Sequence, residues 1–134
     1  MCVVNNVLLI DDEPANNFYN TYIMDEVYFA RKIEVALNGK EALNFLDCKE
    51  KQGSRDEDCI CPDLIFLDLN MPVMNGFDFL DAYEKLDFSP KSKPILYVLS
   101  SSSHFWDKDK VSTYKSVKGF LTKPLTQAVL ENLV

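Results

Sequence analysis

At 134 residues, 47% of them hydrophobic, the chain is long enough for one domain with a sizeable core and too apolar to be disordered over most of its length. A formal net charge of −7, with no Lys/Arg cluster to offset it, argues against a nucleic-acid binder, which needs a positive face. No apolar run approaches the roughly 20 residues of a bilayer span, and Met1-Cys2-Val3-Val4-Asn5-Asn6 lacks the basic region and cleavage pattern of a secretory leader. The expectation is a single domain, 1–134, that is cytoplasmic and contacts neither nucleic acid nor membrane.

Strand and helix patterns alternate along the chain. Val7 to Ile10 is fully apolar and ends in acids, as a central parallel strand buried on both faces does. Pro14 suits the first turn of a helix, which carries Phe18, Tyr22 and Ile23 at helical spacing and fades near Asp25. Ile33 to Ala36 reads as a second strand, and Asn38-Gly39 turns into a helix with Ala42, Leu43, Phe45 and Leu46 on one side. Cys48 to Pro62 is polar, mixed in charge and aperiodic, which predicts a long loop.

Asp63 to Leu67 forms the third strand, followed by a helix marked by Phe77, Leu80, Tyr83 and Leu86. After a loop over Ser89 to Pro94, Ile95 to Leu99 gives the fourth strand. Asp107 suits the N-cap of the next helix, with Val111 and Tyr114 facing inward. Val117 to Leu121 is the fifth strand, and Thr126 caps a short last helix with Val129, Leu130 and Leu133. Five βα units with right-handed crossovers predict an α/β, doubly wound parallel sheet with helices on both faces.

Four cysteines (Cys2, Cys48, Cys59, Cys61) invite a zinc or disulfide reading. Only one residue separates Cys59 from Cys61, fewer than zinc knuckles use, and the single histidine, His104, is remote. The thiols are read as incidental in a reducing compartment.

The acids carry the chemistry. Asp11, Asp12 and Glu13 follow the first strand, where a helix dipole favours acids by ~0.3–1 kcal/mol and would explain them alone. Asp68 ends a strand whose other residues from Leu64 on are apolar, and a neighbouring position would hold it against Asp11 and Asp12. Like charges so placed repel, and a hard divalent cation with oxygen ligands resolves the conflict; Mg2+ fits, since it uses few protein oxygens and keeps its waters. A carboxylate beside Mg2+ can attack a phosphoryl group and become an aspartyl-phosphate. Lys123 then supplies a charged contact to one phosphoryl oxygen, and Ser100 a hydroxyl hydrogen bond to another.

With these residues in place, the chain resembles a receiver domain of the two-component response-regulator family over essentially its whole length. The matching pieces run from Val7 to Glu13, Asn38 to Leu43, and Pro62 to Pro72. Met74-Asn75-Gly76, Leu99-Ser100-Ser101 and Lys123-Pro124-Leu125 follow in order. The resemblance implies a flavodoxin-like five-stranded sheet of order 2-1-3-4-5, here with no output domain. It implies that Asp68 is the phosphoacceptor, Asp12 a direct Mg2+ ligand and Asp11 one acting largely through water. Asn70 would lend its backbone carbonyl to the metal. Ser100 would be the switch hydroxyl, Lys123 the phosphate-sensing lysine, and Phe120 the aromatic that turns inward on activation. The Lys123-Pro124 bond is a candidate cis peptide. The implied partners are a histidine kinase or histidine phosphotransfer protein and a downstream protein. Three features depart from the family pattern: the long Cys48–Pro62 loop, the short last helix, and a phenylalanine at 120, which brings no phenolic hydroxyl.

Two other functions fit this class of fold. A phosphatase working through an aspartyl-phosphate usually has a second acid two residues after the nucleophile, where this chain has Asn70. An FMN-binding protein needs a Ser/Thr-rich loop after the first strand, where this chain has Asp11-Asp12-Glu13. A phospho-switch, not an enzyme, is the expectation, with relay shuttle and direct output left open.

Overall fold

The computed structural model describes residues 4–46, 62–69, 76–85, 94–100, 106–123 and 125–133. The strands are β1 (Val4–Ile10), β2 (Ala30–Ala36), β3 (Leu64–Asp68), β4 (Ile95–Ser100) and β5 (Val117–Thr122). They alternate with α1 (Pro14–Glu26), α2 (Gly39–Leu46), α3 (Gly76–Tyr83), α4 (Trp106–Val111) and α5 (Gln127–Asn132). All pairings are parallel and the order is β2-β1-β3-β4-β5, as expected from the resemblance. The order reverses between β1 and β3, so their carboxyl ends open onto the crevice where such sheets bind ligands.

Alternation along the strands divides the core. Leu8, Ile10, Ile65, Leu67, Leu96 and Val98 face one side, with Ala42, Leu46, Phe79, Leu80, Tyr83 and Val111 of α2, α3 and α4. Val7, Leu9, Leu64, Phe66, Tyr97 and Leu99 face the other, with Met24 and Leu130 of α1 and α5. Burial on both faces is why the central strands read as unbroken apolar runs. Thr126 caps α5 as expected, its hydroxyl accepting the Val129 N–H at 3.2 Å.

Two local expectations are corrected. The apolar stripe of α1 does not face the sheet: Phe18 is 75% and Tyr22 53% exposed, and only Ile23 of the three packs partly against the core. The buried stripe is Asn17, Asn20 and Met24. The physical reason is a polar requirement at the sheet end, since the Asn17 side chain donates to the Asp11 carbonyl at 2.8 Å. Asp107 is not an N-cap, because α4 already begins at Trp106. As the second residue of the helix it still sits where the dipole favours an acid. Tyr114 follows α4 and is half-buried against the core. Its hydroxyl donates to Asp81 at 2.7 Å, and burial with that carboxylate pushes its pKa up to about 12. Lys110 Nζ lies 4.1 Å over the Phe77 ring, on which Tyr114 also stacks, so the segment is tied to α3.

The loop expected over Cys48–Pro62 lies, apart from Pro62, outside the described residues, as do the four cysteines, His104, Leu86, Asn70 and Pro124. No helix among the described residues is long and apolar enough to cross a membrane.

Two backbone positions yield predictions. After α1, the Tyr28 N–H bonds to the Asp25 carbonyl and the Phe29 N–H to the Met24 carbonyl, with Tyr28 at φ 53°. This is the closure in which glycine is usual. Tyr28 is 67% exposed, so its ring gives little packing in return. Tyr28→Gly is expected to stabilise the fold by ~0.5–1 kcal/mol in urea melts, the left-handed strain relieved less the added chain entropy.

Gly76 presents the opposite case. Its N–H bonds to the Leu69 carbonyl at 2.8 Å, and an added Cβ would lie 2.6 Å from Leu69 Cα. Since backbone must move, Gly76→Ala is expected to cost about 1–3 kcal/mol and to disturb Asp68, whose carbonyl lies 3.0 Å from the same Cβ. Thermal melts give the stability, and the amide shift of residue 68 reports the disturbance.

Candidate functional site: an acidic cluster around a buried lysine

Asp11 leaves β1 held at four points. Its N–H donates to the Ala36 carbonyl at 3.0 Å, and its own carbonyl accepts from Asn17 Nδ2. Oδ1 accepts the Glu13 N–H at 2.9 Å, and Oδ2 meets Lys123 Nζ at 3.2 Å. The residue is 1% exposed. Glu13, by contrast, is exposed and serves through its backbone.

Asp68 is the last residue of β3, in register with Leu99 of β4. Its Oδ1 lies 3.1 Å from Lys123 Nζ, so one ammonium bridges two buried carboxylates. Burial by itself lowers the Lys123 pKa, but Asp68 and then Asp11 outweigh it and hold the pKa above the ordinary lysine value. The lysine stays charged.

Asp12, half-buried, completes the cluster: one carboxylate oxygen each from Asp11, Asp12 and Asp68 lies within 4.8 Å of the others. Three carboxylates against one ammonium leave a surplus of negative charge in a largely desolvated place. Hard oxygen donors with excess charge suit a hard divalent cation.

Ser100 ends β4, is buried, and pairs with Thr122 of β5. Its carbonyl accepts the Lys123 N–H at 2.7 Å, so hydroxyl and ammonium are carried by directly bonded backbones. Phe120 is half-buried on β5 and packs against the core cluster below. A groove of ≈ 220 Å³, lined by Asn16, Tyr19, Asn20 and Lys123, runs between α1 and the site.

Six of the seven site residues singled out from the sequence are therefore described. Asp11, Asp12, Asp68 and Lys123 converge, Ser100 is joined to Lys123 through the backbone, and Phe120 lies on the adjoining strand. The seventh, Asn70, falls outside the described residues. Sequence reasoning missed Asn17; a signal existed, an asparagine in the Asn17–Asn20–Met24 stripe of α1, but the aromatic stripe beside it is louder.

Residues 7–134 match the family described as the response regulator receiver domain. The chain belongs to that family. This receiver domain is 34% identical over 123 residues to the nitrate/nitrite response regulator protein NarL of Escherichia coli K12, a match covering 89% of this chain and 48% of NarL. The chain thus spans about half the length of the first curated relatives it matches. Among solved structures, a two-component response regulator from Cytophaga hutchinsonii is 34% identical with a TM-score of 0.79, covering 97% of this chain and 93% of that one. The chemotaxis response regulator CheY4 of Vibrio cholerae, at 23% identity and a TM-score of 0.67 over 97% and 95% of the two chains, shares the fold. As a receiver domain, the chain has the phosphoacceptor role that its family implies.

Proposed function

We propose that this receiver domain takes a phosphoryl group onto Asp68 from the phosphohistidine of a histidine kinase or histidine phosphotransfer protein, and so changes its affinity for a downstream protein. The observation that carries this reading is Lys123 Nζ, just beyond β5, held at 3.1 Å from Asp68 and 3.2 Å from Asp11, which lie at the carboxyl ends of the neighbouring strands β3 and β1. An Asp68 carboxylate oxygen bonds to phosphorus as the phosphorus–nitrogen bond breaks, and the imidazole leaves with the electron pair and takes a proton. Such transfer asks the protein mainly for position and charge. Lys123 offsets charge on one phosphoryl oxygen, and the Ser100 hydroxyl donates to another. Asp11, Asp12, Asp68 and the Asn70 carbonyl are the residues that would hold Mg2+. When bound, the ion neutralises charge on the phosphoryl oxygens.

The test is transfer from a phosphorylated kinase domain in the presence of Mg2+. One acid-stable, base-labile phosphoryl group per chain is expected, and none when chelator replaces Mg2+. Transfer that is indifferent to chelator would remove the cation from the reaction. Catalytic release of phosphate from many small phosphate esters would instead make the protein a phosphatase.

Asp12→Ala separates metal from fold. The substitution relieves carboxylate repulsion and removes no core contact, so the melting temperature in chelator is expected to hold or rise. The gain on adding Mg2+ should shrink. An unchanged gain would take Asp12 out of the site.

A further inference from the structure

Asn17 is a polar residue on the buried face of α1. It is 7% exposed, on the α1 stripe with Asn20 and Met24 that faces the sheet. Its Nδ2 donates to the Asp11 carbonyl at 2.8 Å, while its Oδ1 is buried with no hydrogen-bond partner among the described residues. A carbonyl acceptor requires the amide nitrogen there, which fixes the orientation of the side chain. A buried, half-satisfied amide is costly. The bond satisfies a backbone acceptor beside the acidic cluster, and the unpartnered Oδ1 offsets part of that gain.

The Asp11 carbonyl shares a peptide plane with the Asp12 nitrogen. Holding that oxygen sets the tilt of the plane from which Asp12 departs. The remaining anchors of Asp11 act on its own amide and carboxylate; the Asn17 bond is the described one at the joint between the two acids. Asn17 is itself fixed, because its backbone N–H bonds to the Glu13 carbonyl at 3.1 Å.

We infer that Asn17 is a positioning residue for the cation site: through the Asp11–Asp12 peptide it aims the Asp12 carboxylate at the ion. This rests on the Mg2+ reading proposed above. Groups that orient metal ligands typically carry about 10–100-fold in metal affinity.

The experiment is a calorimetric Mg2+ titration of the full chain and of Asn17→Leu, Asn17→Ala and Met24→Ala, with melts of each in chelator. Leucine is close in size, and alanine serves if leucine does not fit. Both Asn17 variants are expected to raise the Mg2+ Kd by about tenfold. Met24→Ala, on the same buried stripe but with an apolar side chain that cannot hydrogen-bond the Asp11 carbonyl, should melt lower yet bind Mg2+ within about twofold of the parent, as a change outside the ligand-orienting hydrogen bonds should. A folded Asn17 variant that binds like the parent would overturn the assignment. So would a loss in Met24→Ala equal to that in the Asn17 variants, since general loosening would then explain both. A parent that binds no Mg2+ would bring down the cation reading itself, and the role of Asn17 with it.

Discussion

Asp68→Asn is expected to abolish phosphoryl acceptance while leaving a folded domain. Incubated with a small-molecule phosphodonor and Mg2+, the parent should gain an acid-stable, base-labile adduct, read by mass. In the variant its rate should fall on the order of a thousandfold or more, the scale of losing an acting nucleophile. The amide keeps the size of the carboxylate and lacks its charge, so the loss is chemical, not steric. The fold should tolerate the change, because Asp68 belongs to a cluster with surplus negative charge and Lys123 keeps Asp11 as a partner. Melting in chelator should be no lower than that of the parent. If Asp68→Asn still takes up the adduct at the parent rate, another side chain is the acceptor and the assignment fails.

The sheet was legible because its strands are buried on both sides. Residues 7–10, 64–67 and 96–99 leave no polar face to confuse the reading, and each ends in a residue that an interior strand would not hold without a use: Asp11, Asp68, Ser100. Lys123 was legible from its place just after the fifth strand, not from burial: β5 is an edge strand with none of its residues fully buried. The reading was weakest where a polar group had a hidden partner. Along α1 the sequence offers two stripes, aromatic Phe18 and Tyr22 or polar Asn17 and Asn20, and burial favours the first. The Asp11 carbonyl, an acceptor that no side-chain pattern displays, reverses the choice. β2 shows a milder form of the same difficulty. It begins at Ala30, but Arg31 and Lys32 are exposed on this edge strand and mask its start. With Asp107 as N-cap α4 would begin at residue 108; it begins two residues earlier, at Trp106, within the usual softness of helix ends.

Lys123→Ala is expected to separate the switch from the acceptor. With the ammonium gone, Asp11 and Asp68 face each other almost out of solvent, their side chains 2% and 9% exposed. Removing one partner of a buried ion pair costs about 3–5 kcal/mol, and the lower end applies because the Lys123 side chain is 21% exposed. The melt in chelator should therefore fall, and the gain on adding Mg2+ should exceed that of the parent, since a bound cation replaces the lost charge. Signalling should not recover with stability. Ser100 and Lys123 are joined through the Lys123 N–H and the Ser100 carbonyl, and Phe120 lies three residues before Lys123, on the strand that leads into it. Such switches amplify a local charge change through a bistable segment and a side-chain repacking. Trp106, the only tryptophan, opens α4 beyond Ser100 and should report that motion through its fluorescence. In the parent, beryllofluoride with Mg2+ should change the emission more than Mg2+ alone. Lys123→Ala and Ser100→Ala should each cut the response severalfold although Asp68 remains. A response undiminished in both would show that the signal leaves the site by another route. No response in the parent, with the mimic shown to be bound, would place Trp106 outside the moving segment.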